Sequence, residues 1–101
     1  MVLNRLLQEI EGLKEGLEPG ILEGWYNKIA SDAKADAPSY LADSIGVAQD
    51  PILPMKFELK TSRRAVKYVL EAIDRNIPNM PTATRLYFQK LSELIQAEML
   101  R

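Results

Sequence analysis

Lys56, Lys60, Arg63, Arg64 and Lys67 place five cations within twelve residues, with Glu58 the one acidic side chain among them. Such a cluster holds anions, since guanidinium groups pair with carboxylate or phosphate through parallel hydrogen bonds while ammonium groups act as point charges. Against phosphates it supplies the sequence-independent part of nucleic-acid affinity. Against carboxylates it makes protein contacts, within the chain or with a partner, or it stays a solvated face. Arg85 extends the candidate patch, and its proximity to Tyr87 matches the stacking platforms of single-strand binders.

The other groupings with chemical content are carboxylates: Glu9, Glu11 and Glu15 in one segment, and Asp32 with Asp36 four residues apart. Two carboxylates one helical turn apart can hold magnesium through water and a substrate phosphate. No glycine-rich phosphate loop accompanies them, and the spacing is ordinary on a solvated helix face. The chain has no histidine and no cysteine, which removes the usual general base, imidazole and thiolate metal ligands, and thiol nucleophiles. The expectation is a protein that is not an enzyme and takes no metal or cofactor. The aromatic pairs Trp25–Tyr26 and Tyr87–Phe88 each predict one core and one boundary residue, because neighbours on a helix cannot both face one core.

These residues must be positioned by helices. Leu3, Leu6, Ile10, Leu13 and Leu17 recur at spacings of three and four, a helical seam that Leu7 widens and Pro19-Gly20 ends. Gly12 and Gly16 weaken it, each by about 1 kcal/mol against alanine. Ile21, Leu22, Trp25, Tyr26, Ile29, Ala30 and Ala33 predict a second helix reaching Asp36, stopped by Pro38. Ser39 reads as the N-cap of a short third helix through Tyr40, Leu41 and Ile45, with Gly46 as its C-terminal cap. Thr61 or Ser62 caps a fourth, with Val66, Val69, Leu70, Ile73 and Ile77 inward and Lys67, Glu71 and Arg75 paired outward. After the proline-framed connection 77–81, Thr82 or Thr84 caps a fifth helix carrying Leu86, Phe88, Leu91, Leu94, Ile95 and Met99.

Between helices, Leu53, Met55, Phe57 and Leu59 alternate with Pro54, Lys56, Glu58 and Lys60, the period of a half-buried strand over 53–60. Its backbone groups must be satisfied by water, by a short partner around Val47, or by the same strand of a second chain. Strand, capped helix, loop and capped helix over 53–100 resemble, in outline, the ribbon-helix-helix DNA-binding family. That resemblance implies strands of two subunits pairing antiparallel in the major groove, with Lys56, Glu58 and Lys60 outward and Thr82 to Arg85 near the backbone. The long fourth helix and a 78–81 loop without glycine depart from the family pattern.

Length and composition bound the rest. The chain has 101 residues, 47% of them hydrophobic and 27% charged, close to globular averages and sufficient for one core. Residues 1–55 carry four basic against nine acidic side chains, a net of −5, and residues 56–101 carry nine against five, a net of +4. No apolar run suits a membrane span, and the N-terminal segment is not that of a secretory leader, so a cytoplasmic protein is expected.

The reading is a mainly all-α chain of four to five short helices in one compact domain over 1–101. An acidic helical half (1–50) precedes a basic half of one strand and two helices (51–101). The expected function is a non-catalytic protein-protein interaction module or small accessory subunit. The seam Leu3, Leu6, Ile10, Leu13 and Leu17 and the unpaired strand predict a homo-oligomer or a protein partner. The alternative is a nucleic-acid-binding accessory protein using Lys56, Lys60, Arg63, Arg64, Lys67 and Arg85.

Overall fold

A computed structural model describes residues 2–49, 52 and 57–99, with Val2, Leu3, Gln49 and Phe57 described by backbone alone. Five α-helices and a two-stranded antiparallel sheet follow in the order α1 (Val2–Glu15), α2 (Pro19–Asp36), α3 (Ser39–Ala42), β1 (Gly46–Gln49), β2 (Phe57–Lys60), α4 (Val66–Asn76) and α5 (Thr82–Met99), with a 3-10 turn over Ile77–Asn79. The mainly helical architecture read from periodicity is the one observed. None of these helices is long and apolar enough to cross a membrane.

Helix α1 forms because its stripe has a receiving surface: it packs chiefly on α5, with Leu6 and Ile10 buried and Leu13 and Leu17 half-buried against the core. The seam for which the sequence predicts a second chain is therefore covered by the last helix of the same chain. The side chain of Leu3 lies outside the described residues. The helix ends in tightened turns, with Gly16 and Leu17 donating backbone hydrogen bonds to Leu13 and Lys14. Pro19 then opens α2, at a position where its missing N–H is no loss.

Helix α2 lies against α4, burying Leu22, Tyr26, Ile29, Ala30 and Ala33 on the face that meets Val69, Ala72 and Ile73 in the core. Trp25 is half-buried beside fully buried Tyr26, as the pairing rule predicts. Helix α5 breaks that rule: Tyr87 and Phe88 are both buried, while Leu86 is 46% exposed. Packed on α1 along one side and α4 along another, α5 buries a wider arc than one stripe, and Thr84 and Ser92 are buried with the aromatics.

The sheet pairs one edge of the strand within the chain. Gly46 pairs with Lys60, Val47 with Leu59, Ala48 with Glu58 and Gln49 with Phe57. The local partner is the segment around Val47, and Val47 and Leu59 pack on the core side by side. The expected strand over 53–60 is observed over Phe57–Lys60, and 53–56 lie outside the described residues.

Three expected N-caps are replaced by backbone, and one expected C-cap is not made. Helix α3 starts on the carbonyl of Pro38, which accepts from Leu41 and Ala42, and Ser39 makes no cap. Gly46 does not close that helix; it opens β1, after Ile45 has entered the core. Neither Thr61 nor Ser62 caps α4, whose N-cap is Ala65. In α5 the Arg85 N–H donates to the Pro81 carbonyl at 2.8 Å, which puts Pro81 in the N-cap position, ahead of both threonines.

Candidate interaction surface

The basic cluster sits where β2 turns into α4. Two anchors set that corner. On one side Ala65 and Val66, at 0% and 1% exposure, are sunk into the interior. On the other, the Ser62 hydroxyl shares a 2.9 Å hydrogen bond with the Ser44 hydroxyl, which itself donates to the Leu41 carbonyl at 2.7 Å. The Ala65 N–H donates to the Ser62 carbonyl, closing a tight turn between the anchors. With 62, 65 and 66 held inward, Arg63 and Arg64 are turned out, flanked by exposed Lys60 and Lys67.

Their contacts are few. Arg63 Nη1 lies 3.5 Å from the Met99 carbonyl, at the end of α5 where the helix dipole favours a cation. Lys67 Nζ stands 5.0 Å from the centre of the Tyr68 ring. Among the described residues, none of Lys60, Arg63, Arg64 and Lys67 forms an ion pair with a carboxylate. Lys56 lies outside the described residues. Arg85 does not join the patch. It is half-buried, Nη2 donates to the Met80 carbonyl at 3.2 Å, and Nε is buried without a hydrogen-bond partner among the described residues. Its side chain ties the first turn of α5 to the connection before it.

Elsewhere the two halves do neutralise each other. Arg75 pairs with Asp36, in place of the outward pairing with Glu71 that spacing predicts, and Lys90 pairs with Glu9 at 3.2 Å and with Glu93 at 3.8 Å. Glu9 and then Glu93 hold the Lys90 amine above its ordinary pKa. Asp32 accepts from the Asn76 amide at 2.9 Å and faces Lys28 at 3.3 Å. The Asn76 hydrogen bond, assisted by Lys28 and Arg75, lowers the Asp32 carboxyl pKa despite some desolvation. Both members of the Asp32–Asp36 pair are thus engaged by cations of the protein, and no grouping of three metal-binding side chains occurs among the described residues.

The sheet departs from the ribbon-helix-helix outline: β2 is paired with β1 of its own chain, where the resemblance implies pairing with a second subunit. The Arg85–Tyr87 platform is also absent, because Tyr87 is 2% exposed and its hydroxyl bonds that of Tyr26 in the core. Sequence reasoning missed a second surface, an open groove of about 360 Å³ along α2 lined by Gly20, Ile21, Gly24, Trp25 and Lys28. Its signal was the glycine pair one turn apart beside Ile21 and Trp25. No protein-family model matches this chain, and no curated protein or solved structure matches it at a significant level.

Proposed function

We propose that this chain is a non-catalytic interaction module, an accessory subunit that docks a short acidic protein segment on the corner formed by Lys60, Arg63, Arg64 and Lys67. The observation that carries this reading is the unequal use of the basic half. Arg75 and Lys90 are paired to carboxylates of the acidic half and Arg85 is bound to a carbonyl, whereas the four corner cations have no carboxylate partner among the described residues. The patch is also short. Exposed Glu58 borders it on β2 and exposed Glu71 lies one turn beyond Lys67, so a long polyphosphate leaving the corner meets like charge at both margins. A carboxylate-rich segment of a few residues suits its reach and matches the bidentate geometry of two adjacent arginines.

The test compares a labelled glutamate-rich peptide with a labelled DNA duplex over a range of salt. Peptide binding that the Arg63→Ala/Arg64→Ala double change abolishes, in a variant whose denaturation midpoint is unchanged, supports the reading. Duplex binding that outlasts peptide binding, with log K falling against log[salt] by about 0.9 per phosphate neutralised, replaces it with nucleic-acid recognition. Failure of both probes to bind removes the corner as a docking site.

A further inference from the structure

The two-stranded sheet leaves β2 with one edge unpaired. Among the described residues no strand joins that edge, and β1 and α2 are the elements packed along β2. Leu59 turns to the core, which puts Glu58 and Lys60 together on the other face, both exposed. Across the sheet they meet Ala48 and Gly46 of β1, which have no charge to offer, and neither forms an ion pair among the described residues. Along the open edge, acid, apolar residue and base follow in turn.

That order is complementary to itself when the strand is reversed. Directly opposite residues of an antiparallel pair share a face, so a two-fold axis through Leu59 sets Leu59 of one copy against Leu59 of the other on the inner face. The same register sets Glu58 of each copy against Lys60 of the other, twice over by symmetry. Moving the axis by one residue brings Glu58 onto Glu58 or Lys60 onto Lys60, and an axis between residues opposes inner side chains to outer ones. Charges on an edge strand ordinarily block its pairing with another chain. Here they block the neighbouring registers and leave one favoured.

We infer that the open edge of β2 is a homodimer contact, occupied by β2 of a second copy in the register centred on Leu59. The product is one four-stranded antiparallel sheet, in the order β1, β2, β2, β1. A strand of 4 residues buries far less than the roughly 800 Å² per partner of a standard interface, so the dimer is weak, concentration-dependent and sensitive to salt. Lys60 then faces Glu58 of the second copy, and Arg63, Arg64 and Lys67 stay open to the acidic segment.

Sedimentation equilibrium in low salt from about 10 μM to 1 mM, the range suited to an interface of this size, shows monomer passing to dimer. Glu58→Lys and Lys60→Glu each turn two attractive cross-strand pairs into repulsive ones and weaken dimerisation about tenfold. Glu58→Lys/Lys60→Glu restores it, and so does mixing the two single variants, whose strands then carry opposite charge. Both positions are exposed, so these proteins stay folded by urea denaturation. The chain has no cysteine of its own, so Leu59→Cys marks the axis: mild oxidation links it to its copy, while Val47→Cys on β1 stays unlinked. If Leu59→Cys does not fold, the charge variants decide. A parent protein that is monomeric throughout overturns the inference. So does a dimer indifferent to the single charge changes, a double variant as weak as either single one, a folded Leu59→Cys that does not link, or a Val47→Cys that does. Loss of the dimer in Arg63→Ala/Arg64→Ala also overturns it, by showing that the basic corner makes the self-contact.

Discussion

Tyr26 and Tyr87 each solve the other's problem. A phenol hydroxyl taken out of water needs a partner, and these two, from α2 and α5, bond each other among edge-on rings that include Phe88. Burial is the largest influence on both and pushes both hydroxyls above their ordinary pKa, with the negative charge of Glu11 adding to it. Tyr26→Phe strands the Tyr87 hydroxyl and costs about 1–3 kcal/mol, whereas Tyr26→Phe/Tyr87→Phe removes both polar atoms and is close to neutral; urea midpoints of the three proteins separate these cases. Since the folded pKa values lie above the unfolded value of about 10, the unfolded chain loses its phenolic protons first, and stability falls as pH rises beyond that point. The double variant has a flatter alkaline limb. Reading residues one at a time could not reach this pair, because a helical stripe marks which positions are buried but not that two of them, on helices far apart in the chain, meet hydroxyl to hydroxyl.

At the scale of elements, the α2–α4 contact combines a dry face and a polar edge. Val69 and Ile73 are fully buried, so Val69→Asp or Ile73→Asp places a carboxylate where its burial costs several kcal/mol against a total stability of about 5–15 kcal/mol; loss of the cooperative denaturation transition is the expected result. The edge is Asn76, 2% exposed, whose amide donates to Asp32 and to the Ala72 carbonyl. Because the Asp32 carboxyl is held below its ordinary pKa, its contribution is present above the unfolded value of about 4 and disappears as pH falls through the lower folded value. Asp32→Asn is accordingly less stable than the parent at pH 7, and the two converge in acid. Helix α1 is different, since a methyl group added at its exposed Gly12 has no neighbour within 4 Å, and Gly12→Ala raises stability by about 1 kcal/mol. Helices α1, α2 and α4 were legible because each has an apolar period and a proline or glycine stop. The caps were not, because Ser39, Ser62 and Thr82 compete with carbonyls of Pro38, Ala65 and Pro81 that only the folded path brings into place.

For the whole molecule, the even bulk charge conceals a division of labour. Ion pairs between the halves stitch α5 to α1 and α4 to α2, and the basic corner lies outside that stitching. Its composition was visible in the sequence, as was its position at a strand-to-helix junction. What could not be read was which cations the acidic half would take, a matter of distance between helices. Raising ionic strength should therefore weaken peptide docking at the corner far more than it lowers the denaturation midpoint, because exposed ion pairs such as Arg75–Asp36 and Lys90–Glu9 contribute only about 0–1 kcal/mol each. Parallel salt titrations of binding and of unfolding check this.

The pairing of α1 with α5 has a kinetic side. Helices α2 and α4, with the small sheet between them, form a unit of shorter loops, whereas α1 has no apolar seat until α5 is in place. Contacts between distant stretches of chain form late, since the intervening segment must first be ordered. Closure of the fold is thus the docking of its outermost helices on a preassembled centre. In pulse-labelled refolding, amides of α2 and α4 gain protection first and those of α1 and α5 follow together. Newly synthesised chains hold the leucine stripe of α1 exposed until residues 82–99 have left the ribosome.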